Sequence, residues 1–393
     1  MKIGILTLCP KGGGGVYQYT ESLLESLLKY TSHDYFIVNY NRSAIPEISR
    51  LNKGHFIEIK KNHSNIFMKI KRATYVNLPV SRGLLDVSKN YKIIRKFNLN
   101  LIIDPATSLI PIYMGIPYIV TIHDLQHKYY PEFFTLKERV SRNYVYKNAA
   151  KNALLVTCES NFVMHDIVNF LGVPKERIRV VPSPPPLDLT VNKISCEELE
   201  RTKVRYNLTR KYLFYPAHLW YHKNHVKLIE SLNLIRERYK EEIPLILVGS
   251  QKGNFENTMR RITDLNLDNQ VNWLGYVPKK DMLYLYKLAT ALVMPTLFES
   301  VSMPIWEAFL LGVPVVSSNV CALPEQVGDA GLLFDPNNID DMAEKIYTVW
   351  TDENLRKELI RKGYERIKDM TLENYAKQWE EIIEMAYQDS YGV

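Results

Sequence analysis

Two glutamates in "LFESVSMPIWEAFLLGVPVVSSN", residues 297–319, carry the first sign of chemistry: Glu299 and Glu307 have seven residues between them. Paired carboxylates can serve as acid and nucleophile about a glycosidic bond. They can equally clamp a polar ligand, or simply begin a solvated helix. The apolar run "ALVMPTL" reads as a strand ending near Leu297, the loop "FESVSM" follows, and Pro304 suits the first position of a helix. This places Glu299 in the loop and Glu307 one turn into the helix. The backbone N–H groups of Val301, Ser302 and Met303 then point where a polar ligand would lie.

Four other stretches sit where a strand gives way to a helix. "CPKGGGGVYQYTESLL" holds four glycines, among them Gly14 and Gly15, which let backbone approach a ligand closely ahead of a helix N-terminus. A dinucleotide fingerprint does not fit, because Gln18 stands where the third glycine belongs, and the Gly-Lys-Ser/Thr ending of a P-loop is absent. "TIHDLQHKYYPEFF" places His123 and Asp124 at a strand's carboxyl edge, where the pair could shuttle protons, bind metal or hydrogen-bond a sugar. "YPAHLWYHKNHVKLIES" gathers His218, His222, Lys223 and His225. Zinc is a poor match, since no carboxylate lies at ligand spacing and the lysine repels a cation. Phosphate fits better, with Lys223 adding a point charge to a helix start. "LILVGSQKG" ends in Gly249, again a place for close backbone approach.

The elements that must position these residues alternate from end to end. Strand runs in the first half are "KIGILTL", "YFIVNY", "HFIEI", "NLIID", "YIVTIHD", "ALLVTCES" and "IRVVPS", and in the second "YLFYPAH", "PLILVGS", "VNWLGYV", "ALVMPTL", "VPVVSSN" and "GLLFDP". Continuous apolar runs without alternation predict strands buried on both faces of a parallel sheet. The fold class is therefore α/β, with two doubly wound domains whose ligands lie beyond the carboxyl ends of the strands, in a cleft between the domains. Three consecutive prolines in "VVPSPPPLDLTVN" break the pattern, which places a linker near 182–195 between a domain at 1–185 and one at 195–371. After one long helical stretch, the segment 372–393 carries Leu372, Tyr375, Trp379, Ile382 and Ile383 on one face and needs a surface to cover.

The 393 residues, 46% hydrophobic and 24% charged, exclude disorder and suit two cores. The apolar N-terminus reads as a strand and not a signal peptide, and the longest apolar stretch, 109–122, is broken by Pro111, Gly115 and Pro117 and falls short of a membrane span. Cys9, Cys158, Cys196 and Cys321 are scattered, as in a cytosolic protein with reduced thiols. Between Lys53 and Lys96, eleven basic residues face two acids, a local excess of nine against a net +7 for the chain. Such a patch can dock on an anionic membrane surface at about 1 kcal/mol per basic side chain, or stand as a solvated basic face. No nucleic-acid module accompanies it.

On these motifs the chain resembles the retaining glycosyltransferases of family 4, with the GT-B fold of two facing Rossmann-like domains. The likeness is densest from "VNWLGYVPKKDMLYLYKLA" through "TLFESVSMPIWEAFLLGVPVVSSNVCALPEQVGDAGLLFDP". The resemblance implies that Gly14 and Gly15 lie against the donor diphosphate and that His123 contacts the transferred sugar. It implies that Lys223 neutralises the diphosphate and that Glu299 holds sugar hydroxyls with the N–H groups of Val301, Ser302 and Met303. Glu307 would take the ribose, and the chain near Tyr276 and Val277 would line the base. Asp124 would fall on the acceptor side, and the final helix would return to cover the first domain. The sequence departs from the family pattern where Ser300 and Ser302 replace glycines, where His218 replaces a basic residue, and where "SPPP" replaces asparagine-glycine before the linker.

No Asp-x-Asp occurs in the chain, so metal-independent transfer with no cofactor is expected. Lys223, glycine amides and helix N-termini would stabilise the departing diphosphate, each such donor being worth up to a few kcal/mol. By the resemblance the two glutamates bind the donor at its two ends and do not attack it. "YPAHLWYHKNH" is most like bacterial mannosyltransferases that extend surface polysaccharides, making GDP-mannose the leading donor and a UDP-sugar the next. The acceptor would be a glycan or a lipid-linked saccharide, and the site cytoplasmic, at the inner face of the membrane. A GT-B sugar-nucleotide epimerase and a non-catalytic sugar-nucleotide-binding protein are the competing readings.

Overall fold

A computed structural model describes residues 1–9, 14–39, 54–58, 74, 76–77, 94, 96–185 and 194–392. Most of the basic segment 53–96, and with it the membrane-docking expectation, lies outside the described residues. The chain divides into one compact unit of Met1–Pro184 with Met370–Val393, and a second of Pro185–Asp369.

The first unit holds β1 (Lys2–Thr7), β2 (Asp34–Asn39), β3 (His55–Glu58), β4 (Leu101–Asp104), β5 (Tyr118–Thr121), β6 (Leu155–Cys158) and β7 (Ile178–Val180). They form one parallel sheet in the order β3-β2-β1-β4-β5-β6-β7. Both faces are covered, which is why the strands read as unbroken apolar runs. Along β4, Leu101 and Ile103 join a core containing Leu23, Leu24 and Leu27 of helix α1 (Gly15–Tyr30), while Ile102 joins the opposite core. Helix α2 (Leu136–Asn152) starts at a capping box between Thr135 and Glu138 and leads into β6.

The second unit repeats the plan with β8 (Leu213–Pro216), β9 (Leu245–Val248), β10 (Val271–Trp273), β11 (Ala291–Met294), β12 (Val315–Ser318) and β13 (Gly331–Phe334). Its parallel sheet runs β10-β9-β8-β11-β12-β13. Helices α3 (His225–Tyr239), α4 (Lys279–Leu288), α5 (Met303–Leu311) and α6 (Leu323–Val327) follow four of these strands. The long helical stretch expected after β13 is two helices, α7 (Ile339–Thr351) and α8 (Glu353–Ile367). The break falls at Asp352, whose carboxylate accepts the Leu355 N–H and caps α8.

Helix α9 (Leu372–Tyr391) belongs to the first unit and lies against α1. Tyr375, Trp379, Ile382, Ile383 and Ala386 enter the core that α1 shares with the sheet, so the apolar stripe covers the surface it needed. No helix among the described residues is long and apolar enough to cross a membrane.

Candidate active site

All strands of each sheet are parallel, so their carboxyl ends share one edge, and register decides which residues meet there. In the second unit Pro216 of β8 pairs with Val248 of β9. Two residues further on each chain come His218 and Ser250, and the Ser250 N–H donates to His218 Nδ1 at 3.0 Å. Burial, then the charges of Lys252 and Lys223, holds the His218 imidazole below its ordinary range. The ring is neutral, with its proton on Nε2 as a single donor. Gly249 sits between the two strands with φ of +149°, and a Cβ there would meet the Ala217 carbonyl oxygen at 2.3 Å. Close backbone approach is its role, here toward the neighbouring strand.

Lys223 ends a single 3₁₀ turn, Tyr221–Lys223, and Asn224 follows in the left-handed region at φ of 57°. Asparagine tolerates that conformation, and its buried amide donates to Pro295 and Pro336 carbonyls at 2.9 and 3.0 Å. The His222 carbonyl accepts from Leu297 N at 2.7 Å and Thr296 Oγ1 at 3.0 Å. These bonds tie the turn to the end of β11, and the Lys223 ammonium meets the Glu299 carboxylate there. The two side chains are 18% and 16% exposed, a largely desolvated ion pair. Burial, followed by the Lys223 charge, holds His222 and His225 down at about 3, so both are neutral and Lys223 is the cation of this loop. Glu299 was expected to face sugar hydroxyls and Lys223 a diphosphate. In the structure each is the other's partner.

Ser302 requires a correction. Its backbone N–H, expected to face a ligand, donates to Gln326 Oε1 at 2.8 Å, and Gln326 Nε2 returns a bond to the Ser302 carbonyl at 2.7 Å. Gln326 on α6 thus closes a ring on the backbone of the residue that caps α5, and both residues are buried. The Ser302 hydroxyl makes no capping bond and has no partner among the described residues. Pro304 takes the second helical position, after Met303, where its missing N–H still leaves no bond unmade. Gln326→Ala is expected to raise the KM for a donor about three- to tenfold with kcat less affected, because one or two net hydrogen bonds, about 1 kcal/mol each, hold the loop in shape. Initial rates over a donor concentration series check this, and an unchanged KM contradicts it.

Glu307, on the second turn of α5, accepts from the Tyr286 hydroxyl of α4 at 2.5 Å through Oε2. Burial pushes the Glu307 carboxyl up, against the Tyr286 hydrogen bond and the more distant Lys279 charge. A polar ligand donating to Oε1 would favour the ionised form. Val277 is buried and Tyr276 is 80% exposed beyond β10, so one offers backbone and the other an open ring face. Among the described residues no group of three or more His, Cys, Asp or Glu is arranged to hold a metal ion.

The first unit carries the remaining candidates. Gly14 caps α1 with φ of 73° and ψ of −151°, a conformation that suits glycine, while Gly15 opens the helix and a Cβ there would meet nothing within 4 Å among the described residues. His123 lies beyond β5, with Nδ1 3.1 Å from Glu159 Oε2 and Nε2 2.7 Å from the Pro105 carbonyl. The expected sugar contact requires a free ring donor, and both ring nitrogens are engaged within the unit. Asp124 accepts from Gln126 N at 3.0 Å and pairs with Arg142 at 3.6 Å. Gln326, Tyr286, Glu159 and Ser183 escaped the sequence reading. Only Ser183 carries a local signal, as part of "SPPP".

The family description Glycosyltransferase Family 4 matches residues 13–188, and Glycosyl transferases group 1 matches residues 197–366. The chain is 30% identical over 273 residues to O-antigen chain mannosyltransferase B of Escherichia coli, covering 66% of this chain and 68% of that protein. The chain belongs to glycosyltransferase family 4. A second Escherichia coli relative of this family 4 glycosyltransferase is the serotype-specific mannosyltransferase WbdA, 24% identical over 202 residues, 51% of this chain and 25% of the relative. The family 4 chain thus matches only about a quarter of WbdA. Among solved structures, Anabaena Alr3699/HepE in complex with UDP and glucose superposes with a TM-score of 0.74 at 18% identity, covering 98% of this chain and 100% of that one. The likeness extends the GT-B fold type to both units of this family 4 glycosyltransferase.

Proposed function

We propose that the protein is a retaining, metal-independent hexosyltransferase that uses GDP-mannose, with a UDP-sugar as the next choice, and a glycan or lipid-linked saccharide hydroxyl as acceptor in surface polysaccharide synthesis. The observation that carries this reading is the Lys223–Glu299 pair at the end of β11, with Glu307 one turn into the helix α5 that follows. The mannosyltransferase relatives support the donor sugar.

Breaking the bond to a nucleoside diphosphate develops negative charge on the departing phosphate and positive charge on the sugar. When a diphosphate competes for Lys223, the ammonium moves from one anion to another without meeting bulk water, and Glu299 is released to accept sugar hydroxyls. Lys223, the Met303 N–H at the start of α5 and the Nε2–H of His218 are donors already oriented for the departing charge. Gly14 and Gly15 admit the diphosphate closely, and Gly249 keeps the His218 loop against β9. Glu307 takes the ribose with Oε1, and Tyr276 and Val277 border the base. The departing phosphate oxygen takes the proton of the incoming hydroxyl, and the sugar is attacked from the face the phosphate leaves. His123 acts at the sugar, and Asp124 lies on the acceptor side. The basic segment 53–96 would hold the enzyme to an anionic inner membrane face.

A panel of GDP- and UDP-sugars incubated with EDTA, with and without a saccharide acceptor, tests the reading by free nucleotide and by the mass of the product. Acceptor-dependent release from GDP-mannose is expected. An epimerised donor with no transfer indicates the epimerase reading, and binding with no turnover of any donor overturns the enzyme.

A further inference from the structure

Sheet register brings His123 and Glu159 together. Thr121 of β5 pairs with Thr157 of β6, and each of the two residues stands two positions beyond its threonine. The Glu159 carboxylate is held in turn by Ser183, whose hydroxyl donates to Oε1 at 2.5 Å while Oε2 meets His123 Nδ1 at 3.1 Å. Ser183 belongs to the "SPPP" that replaces asparagine-glycine and is fully buried. His123 and Glu159 side chains are 14% and 8% exposed.

The acceptors decide the state of the ring. A carboxylate faces Nδ1 and the Pro105 carbonyl faces Nε2 at 2.7 Å, and both accept only. A neutral imidazole has one N–H, so one of the two contacts would set lone pair against lone pair. The imidazolium satisfies both. The described surroundings agree. Asp104 of β4 is a buried carboxyl held by Ala106 and Ser108, and Asp124 is the next residue along the chain. Tyr19 of α1 meets the ring edge-on at 4.7 Å, with Tyr375 of α9 behind it, and burial pushes both phenols up so that they stay neutral. Among the described residues, the neighbouring Arg142 cation pairs with Asp124. Burial alone pulls His123 down, but the Glu159 hydrogen bond and charge, with the Pro105 carbonyl, carry it above its ordinary value.

We propose that Glu159, braced by Ser183, is a positioning residue that holds His123 as a doubly donating imidazolium, so that His123 serves transfer as an oriented cation and never as a base. An imidazolium bonded on both nitrogens has no lone pair with which to abstract a proton. Its ring plane is fixed by the two contacts. This role rests on the transferase reading above.

The test combines two readouts on the full chain. Nitrogen-15 NMR of histidine-labelled protein reports both ring nitrogens of His123 without any substrate, so failure of the ring state is separable from failure of the transferase reading. Wild type is expected to carry protons on Nδ1 and Nε2 at neutral pH. Glu159→Gln should leave one ring proton. The positively charged form is lost as pH rises through the folded pKa, so the variant's transfer rate should fall at lower pH than wild type, its alkaline limb displaced by about one pH unit or more. Ser183→Ala, a smaller change, should displace the limb in the same direction by less, and melting curves establish that both variants fold. A bare Nδ1 in wild type overturns the proposal, as does a doubly protonated ring in Glu159→Gln. Unchanged kcat and pH profile in a Glu159→Gln protein with an altered ring also overturns it.

Discussion

Lys223→Ala lowers kcat/KM for the sugar nucleotide by about a hundredfold or more, on the order of 3 kcal/mol of transition-state stabilisation. The size follows from position. Lys223 is fixed through its own carbonyl, which accepts from the Tyr215 hydroxyl at 2.8 Å, and through Asn224, whose amide bridges to the end of β11. The neighbouring histidines cannot substitute, because His222 and His225 are held down at about 3 and His218 is also lowered and neutral. The same substitution also costs folding stability, since removing one member of a largely buried ion pair strands the other. Lys223→Arg separates the two effects: it retains charge beside Glu299 but reshapes the donor geometry, so stability should recover more than turnover. Steady-state rates beside thermal melts check both statements. Near-wild-type turnover in Lys223→Ala would remove the cation from the mechanism.

Gly249→Ala is the largest expected loss of stability, about 4 kcal/mol, from a backbone conformation nearly closed to other residues and a clash that no rotamer relieves. The added methyl would lie 2.3 Å from the Ala217 carbonyl oxygen and 2.8 Å from the His218 nitrogen. Both contacts are backbone, so relief requires β8 and β9 to separate at their carboxyl ends. Gly249 also donates to the Gly275 carbonyl at 2.9 Å and accepts from Trp273 Nε1 at 3.0 Å, so three strand ends move together. Chemical denaturation with urea measures the change, and a variant as stable as wild type would contradict this account of the glycine.

The fold was legible because unbroken apolar runs such as "LILV" and "ALVM" have one stable setting, a parallel strand covered on both faces. The break at Asp352 was harder to read, because acidic and basic residues on both sides continue a helical pattern and only the cap marks the join. Within the site, strand-end residues announced themselves by type: a lysine among histidines, a glycine after a strand, and glutamates around a helix start. What held them did not. Glu159 is 36 residues from His123 in sequence, and their meeting depends on the register of β5 against β6. Gln326 reaches Ser302 across 24 residues, with a buried amide that no periodicity marks. The serine at 302 was visible as a departure from glycine. Its consequence, a backbone braced by a glutamine side chain, is a tertiary fact.

The anomeric configuration of the product tests the central claim most directly. With GDP-mannose as the α-linked donor, a saccharide acceptor and EDTA, the one-bond carbon–proton coupling at the new anomeric centre should report an α linkage formed at the same rate as without chelator. A β linkage would contradict front-face transfer, and loss of transfer in EDTA would contradict a site in which Lys223 replaces a metal.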